Sequence, residues 1–365
     1  CNTRILGDIL VDIPEDSQVH RQVIRKKPEP HDIKLAPHVE LFFVKVNEPN
    51  MHDPLGDFER LCQSLRERYS SSFQKGHSFT CSLPTLRDLQ KVLRESLWQI
   101  TVAVYDGKQI KGVWPGQKET IFGLAVDVGS TTLSAQLCNL KTGEVIASAG
   151  TMNPQIRFGE DLMSRVSYLM MNPDDMTDMT REVRTAINYL AAQTTNEVGN
   201  DPSNIVDVVL VGNPIMHHIL LGIDPTELGG APFALATDMA LNITAEELDL
   251  YFNPSATAYI LPCIAGHVGA DTAAVILAHN PLSTKEMTLI IDIGTNAEIV
   301  LGNCDRVLAC SCPTGPAFEG AQISCGQRAA PGAIERVRVD RHTLEPSYQI
   351  IGCELWSTEE SFNEE

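Results

Sequence analysis

Leu124-Ala-Val-Asp127-Val-Gly129-Ser130-Thr131-Thr132 and Leu289-Ile-Ile-Asp292-Ile-Gly294-Thr295-Asn296-Ala297 share one form, 165 residues apart. Each is an apolar run that reads as a strand, then an aspartate, one apolar residue, a glycine and two hydroxyl or amide residues. Each is followed by a second β-rich run. A repeat at that distance predicts two similar lobes.

The form suits a polyphosphate. A tight hairpin after the aspartate exposes successive N–H groups, glycine lets a ligand approach the backbone, and Ser or Thr hydroxyls add donors, so the turn is an anion nest that needs no cationic side chain. Two such turns facing one another can grip phosphates from both sides, and φ > 0 is expected at their glycines. Asp127 and Asp292, at strand ends, can hold a hydrated Mg²⁺ or orient an attacking water. One copy alone reads as an ordinary β-turn. Two copies in strand context point to phosphate binding through Gly129, Ser130, Thr131, Thr132, Gly294, Thr295 and Asn296.

Outward from the first copy, Ile121 to Val128, Leu133 to Asn139 and Glu144 to Ala149 read as an antiparallel meander. Helices are expected from about Glu160, with Glu160 and Asp161 in an acidic first turn, and from about Thr180 to Val198. A buried strand at Ile205 to Val211, a Pro214-initiated helix, a strand at Ala258 to Leu261 and a helix from about Val268 to His279 complete a first lobe, residues 120–284. Thr288 to Val300 and Arg306 to Cys312 begin a second, residues 285–365, which is read as truncated.

Residues 34–119 read as a small α+β domain: strands at Val39 to Val46 and Trp98 to Tyr105, helices at Phe58 to Tyr69 and Leu86 to Glu95 with Thr85 as N-cap, and an Asp106-Gly107 turn into Ile110 to Trp114. Its histidines His38, His52 and His77 read as isolated surface residues. Residues 18–33, with Arg25-Lys-Lys-Pro-Glu-Pro30, are a linker, and 1–17 read as a strand ended by Pro14. The fold expected is α/β.

The chain has 365 residues, 43% of them apolar, which excludes a disordered or fibrous protein. Its charge of −19 is uneven: residues 1–120 carry net +1 and 121–365 net −20. An acidic lobe repels nucleic acid and anionic membranes, and no apolar stretch approaches the length of a membrane span. Neither partner is expected. Ten scattered cysteines suit a reducing cytoplasm. Cys310 and Cys312 share a strand face and are expected to be buried thiols.

Further candidates are weaker. Gly266, Gly269 and Asp271 open a helix, where a phosphate or metal site competes with simple capping. Asn213 follows a buried strand at its C-terminal end, where α/β proteins place ligand residues. Glu319 begins a helix, and His267 reads equally as packing. Met170, Met171, Met176 and Met179 read as a flexible helix-to-helix loop.

The two hairpins resemble the phosphate motifs of the superfamily of acetate and sugar kinases, heat-shock chaperone ATPases and actin, with two ribonuclease-H-like lobes around an ATP cleft. Met152-Asn-Pro-Gln-Ile-Arg-Phe-Gly-Glu-Asp-Leu-Met-Ser-Arg165, Val211-Gly-Asn-Pro-Ile-Met216, Pro262-Cys-Ile-Ala-Gly-His-Val-Gly-Ala-Asp271 and Gly315-Pro-Ala-Phe-Glu-Gly320 narrow it: together they resemble the reductive activators of corrinoid proteins. The resemblance implies an ATPase that uses ATP and Mg²⁺ to reduce Co(II) to Co(I) in a partner corrinoid protein. It implies a [2Fe-2S] ferredoxin domain, fed by an upstream electron donor, of which 1–17 is the end and Cys1 the fourth cluster ligand. A homodimer is compatible with it. An acyl or sugar kinase, or a chaperone- or filament-type ATPase, remains the alternative.

Overall fold

The computed structural model describes residues 35–73, 76–294, 296–315, 324, 326 and 331–363. Cys1, Thr295, Glu319 and the segments read as ferredoxin remnant and linker lie outside them. Residues 293–296 and 313–363 group into one compact unit, and 35–292 with 297–312 into another.

The larger unit opens with a four-stranded sheet in the order β1-β3-β4-β2, where β1 is Val39–Lys45, β2 Thr80–Cys81, β3 Gln99–Tyr105 and β4 Gln109–Pro115. Helices α1 (Asp57–Arg68) and α2 (Leu83–Glu95) carry the leucines that meet its buried side: Leu61, Leu65, Leu89 and Leu93 join Phe42, Val44, Ile100, Val102 and Ile110 in one core. The β3–β4 hairpin turns at Asp106 and Gly107, with φ of 48° and 64°, the paired left-handed geometry that an Asp-Gly turn serves. The N-cap of α2 is Ser82, whose hydroxyl accepts from the Thr85 N–H, not Thr85 itself: with Pro84 in its first turn the helix begins three residues earlier than its apolar spacing suggests. His38 is bonded to Asp106 at 2.6 Å and His77 to the Gly107 carbonyl at 2.6 Å, so neither is the isolated residue expected.

A six-stranded sheet follows, ordered β7-β6-β5-β8-β10-β9: β5 Phe122–Val128, β6 Thr132–Asn139, β7 Val145–Met152, β8 Ile205–Val211, β9 Leu241–Thr244 and β10 Thr257–Ile260. The meander β5-β6-β7 is antiparallel, while β5, β8 and β10 run parallel. Helices α3 (Leu162–Met171) and α4 (Met176–Glu197) lie between β7 and β8, α5 (Pro214–Leu221) between β8 and β10, and α6 (Ala270–His279) after β10. This is the ribonuclease-H-like order expected of the first lobe. Its core takes Leu124, Val126, Leu133 and Leu137 from the strands with Val183, Ile187 and Leu190 from α4. Met179 belongs to that core and Met170 and Met171 to α3, so the methionines do not form a loop: a single tight helical turn, Pro173–Asp175, bridges the helices. Val39, Ala103, Ile121 and Val206 join the two sheets.

The chain then starts again with a three-stranded sheet, β11 (Thr288–Ile293), β12 (Asn296–Gly302) and β13 (Val307–Pro313) in that order, the counterpart of β5-β6-β7. Cys310 and Cys312 are exposed on β13 rather than buried, because no described element covers that edge strand. In the smaller unit β14 (Ile334–Val339) and β15 (Pro346–Ile350) form an antiparallel ribbon.

Candidate functional site

Strand β5 delivers the first turn. Its last pairs with β6 are Asp127 with Ser134 and Val128 with Leu133, leaving Gly129, Ser130 and Thr131 to cross between strands. All three carbonyls of that crossing are held, by Asn153 and Arg165. Gly129 O accepts from Asn153 Nδ2 at 2.8 Å, Ser130 O accepts from Arg165 Nη2, and Thr131 O accepts from the Asn153 N–H at 2.8 Å. With its carbonyls spent, the turn can offer an anion its N–H groups and the Ser130 and Thr131 hydroxyls.

The supports are themselves buried polar side chains. Asn153 also caps its own short helical turn, accepting from the Gln155 N–H at 3.0 Å, and Gln155 Nε2 donates to Met179 O at 2.8 Å. Arg165 is fully buried. It donates from Nε to Gly159 O at 3.1 Å and from Nη1 to Gln155 Oε1 at 3.3 Å. The stretch Met152 to Arg165 is thus the floor of the turn, with α3 capped by Asp161 so that Arg165 points inward.

Gly129 is required for steric reasons, not for a left-handed backbone: neither Gly129 nor Gly294 has positive φ, which corrects the expectation. A Cβ at Gly129 would stand 2.5 Å from Thr132 O, whereas one at Gly294 would meet nothing closer than Asn296 O at 3.4 Å. In the second turn Gly294 donates to Asn296 O at 2.9 Å and accepts from Thr314 Oγ1 at 2.6 Å.

The sheet turns its direction of growth between β5 and β8, and in such sheets ligands sit at the C-terminal ends of the strands there. Asp127 is level with Val211 in β8. Asn213 caps α5, its Oδ1 accepting from the Met216 N–H at 3.0 Å, so its amide oxygen is engaged in structure. The start of α6 is not an open anion site: the N–H groups of Ala270 and Asp271 reach Gly212 O at 3.0 and 3.4 Å, and that of Thr272 reaches Asp271 Oδ1 at 2.7 Å. Gly269 is there for contact, since a Cβ would lie 2.6 Å from Asn213 Cα and Gly212 O. Gly266 likewise abuts Phe233 O, where a Cβ would lie at 2.2 Å.

Three of the sequence candidates are brought into one electrostatic cluster, with a fourth that sequence reasoning missed. Burial pushes the Asp271 carboxyl up to about 7, helped by the charges of Glu298, Asp127 and Asp292. Burial also raises Glu298, with Asp292 adding to it against a bond from Ser311 Oγ at 2.9 Å. Glu298 could have been noticed as the lone charge within Ala297 to Leu301 on β12. Carboxylates that raise one another's pKa in this way suit a divalent cation, and Mg²⁺ takes only one or two of them. No group of three or more metal-ligating side chains is assembled among the described residues.

Residues 29–120 match the model of the RACo linker region, 122–282 that of the RACo middle region, and 286–358 that of the C-terminal domain of RACo, the ASKHA domain. The chain belongs to the RACo family. Among solved structures, RACo-type likeness is carried by a reductive activator for a corrinoid, iron–sulfur protein, with 33% identity and a TM-score of 0.74 over 93% of this chain and 56% of that one. A relative from Eubacterium limosum described as corrinoid activation enzyme RamQ is 33% identical over 259 residues, 71% of this chain and 43% of the relative. A Methanosarcina barkeri protein described as a reductase of the Co(II) methylated-amine-specific corrinoid protein is 27% identical over 225 residues, 59% of this chain and 40% of the relative. The chain spans about half the length of the RACo relatives it matches. No helix among the described residues is long and apolar enough to cross a membrane.

Proposed function

We propose that this chain is the nucleotide-handling part of an activator that spends ATP to return the cobalt of a partner corrinoid protein from Co(II) to Co(I). The observation that supports it most is the first turn, whose three consecutive carbonyls are all taken up by Asn153 and Arg165. In this reading the Gly129–Thr132 turn holds phosphate oxygens through N–H and hydroxyl donors, with Gly294, Thr295 and Asn296 as its counterpart. Asp127 and Asp292 would hold Mg²⁺, which neutralises phosphate charge when bound, and orient the attacking water. Asp271 and Glu298 shape the field around them. The domain division at 34–119, 120–284 and 285–365 belongs to the same reading.

The described residues offer no three-ligand thiol or imidazole group, so we derive no step through a [2Fe-2S] cluster, and Cys1 lies outside them. The experiment uses the full-length protein, anaerobically reduced, with a corrinoid protein held as Co(II). Appearance of the Co(I) absorbance together with release of inorganic phosphate, both dependent on ATP, is the expected result. Phosphate transferred to a small acceptor instead would establish the kinase alternative, and no use of ATP would end the reading.

A further inference from the structure

Every nitrogen of Arg165 is spent on a neutral acceptor: Gly159 O, Gln155 Oε1, Met216 Sδ at 3.1 Å and Ser130 O. No carboxylate forms an ion pair with it among the described residues. Fully burying a guanidinium without a paired anion is costly, and a chain that needed only a filler behind the turn could use an apolar side chain of similar volume. Burial draws its pKa down only to about 10, with Asp161 pulling the other way. It therefore stays charged at neutral pH. Asp127 stands on β5 two residues before the turn, and a carboxylate there repels phosphate.

We propose that Arg165 is a positioning residue for the nucleotide phosphates: it fixes the carbonyl side of the Gly129–Thr132 turn by holding Ser130 O, and its unpaired charge, one layer behind the backbone, draws the anion onto the turn. The inference rests on reading that turn as a phosphate site. Its chemistry needs the guanidinium fork, because four backbone and side-chain acceptors are served by one planar group. Arg157, eight residues earlier, has no such part: it is paired on the surface with Glu182 at 2.9 Å, an arrangement that contributes little.

The test is titration of ATP-Mg²⁺ against the full-length protein carrying Arg165→Met, Arg165→Lys, Gln155→Leu, Arg157→Met or Gly129→Val, with KM and kcat for ATP hydrolysis. Arg165→Met should weaken binding at least tenfold and raise KM with kcat changed less than threefold, since the charge acts on bound phosphate throughout the reaction. Arg165→Lys should recover at least threefold of the loss, Gln155→Leu should lose about threefold while keeping the charge, and Arg157→Met should bind as wild type. If Arg165→Met does not fold, the Lys and Gln155 variants decide alone. Wild-type binding by the Arg165 variants while Gly129→Val loses the nucleotide overturns this proposal and leaves the turn as the phosphate site. Wild-type binding by Gly129→Val as well overturns the site itself, and Lys no better than Met removes the role of charge.

Discussion

Replacing Gly129 tests the first turn most directly. An added Cβ would stand 2.5 Å from Thr132 O, against the 3.4 Å at which ordinary contact begins, so the two must separate by about 0.9 Å. Thr132 cannot yield freely: it starts β6 and is paired with Met152 of β7, whose neighbour Asn153 bonds both Gly129 O and the Thr131 carbonyl. Relief must come from opening the turn. Overpacking of this kind costs about 1–3 kcal/mol, and if the cost falls on the ligand-ready shape, affinity drops by about five- to 150-fold. We expect Gly129→Ala near the lower end and Gly129→Val, with two further methyls, near the upper. Gly230→Ala is the control, because its Cβ would meet nothing within 4 Å, and it should bind within about threefold of wild type. Isothermal titration of ATP-Mg²⁺ into each full-length variant, with circular dichroism to verify folding, measures this. Equal losses at both glycines, or none at Gly129, would refute the steric account of the turn.

Asp127→Asn and Asp292→Asn should each lower the ATPase rate of the full-length protein at least tenfold with the melting temperature little changed, as measured by phosphate release and thermal denaturation. Leu137→Ala, removing a fully buried side chain between β6 and α4, should cost about 2–5 kcal/mol by denaturant titration. Burial pushes the Asp207 carboxyl up to about 6 against the pull of His38 and Lys111, so the folded chain holds that proton more tightly than the unfolded one. Its contribution to stability is present below the unfolded value near 4 and is lost as pH rises through about 6. Asp207→Asn should therefore melt higher than wild type at about pH 7.5 and not at about pH 4.5, and a pH-independent difference would contradict it.

Much of the first lobe was legible because its signals are local. Apolar runs of strand length at Phe122–Val128 and Ile205–Val211, helical spacing along α4 and Pro214 at a helix start each depend on a few consecutive residues. Strand order was legible only through the repeated motif and the resemblance it carried, since sequence spacing does not say that β8 enters beside β5. The short strands β2 and β9 escaped notice because Thr80–Cys81 and Leu241–Thr244 are too brief to show an alternation. Cys310 and Cys312 misled for a different reason: alternation places both on one face of β13, yet it cannot say whether that face is covered.

The site was legible as turns and illegible as a floor, and the difference is one of range. Gly129 to Thr132 announces its geometry through adjacent residues, but the partners of its carbonyls lie 24 and 35 residues away at Asn153 and Arg165. A signal for them was nonetheless present. Arg165 follows Leu162 by three and precedes Leu169 by four, which places it on the apolar stripe of α3 rather than on its solvent face. Glu298 interrupts an apolar strand in the same way, and Asp207 interrupts Ile205–Val211. Desolvating such groups is costly unless something receives their charge or hydrogen bonds. A charged residue in phase with an apolar period therefore marks a position whose explanation lies on another element: for Arg165 the Gly129–Thr132 turn, for Glu298 the carboxylate cluster, and for Asp207 the junction between the two sheets.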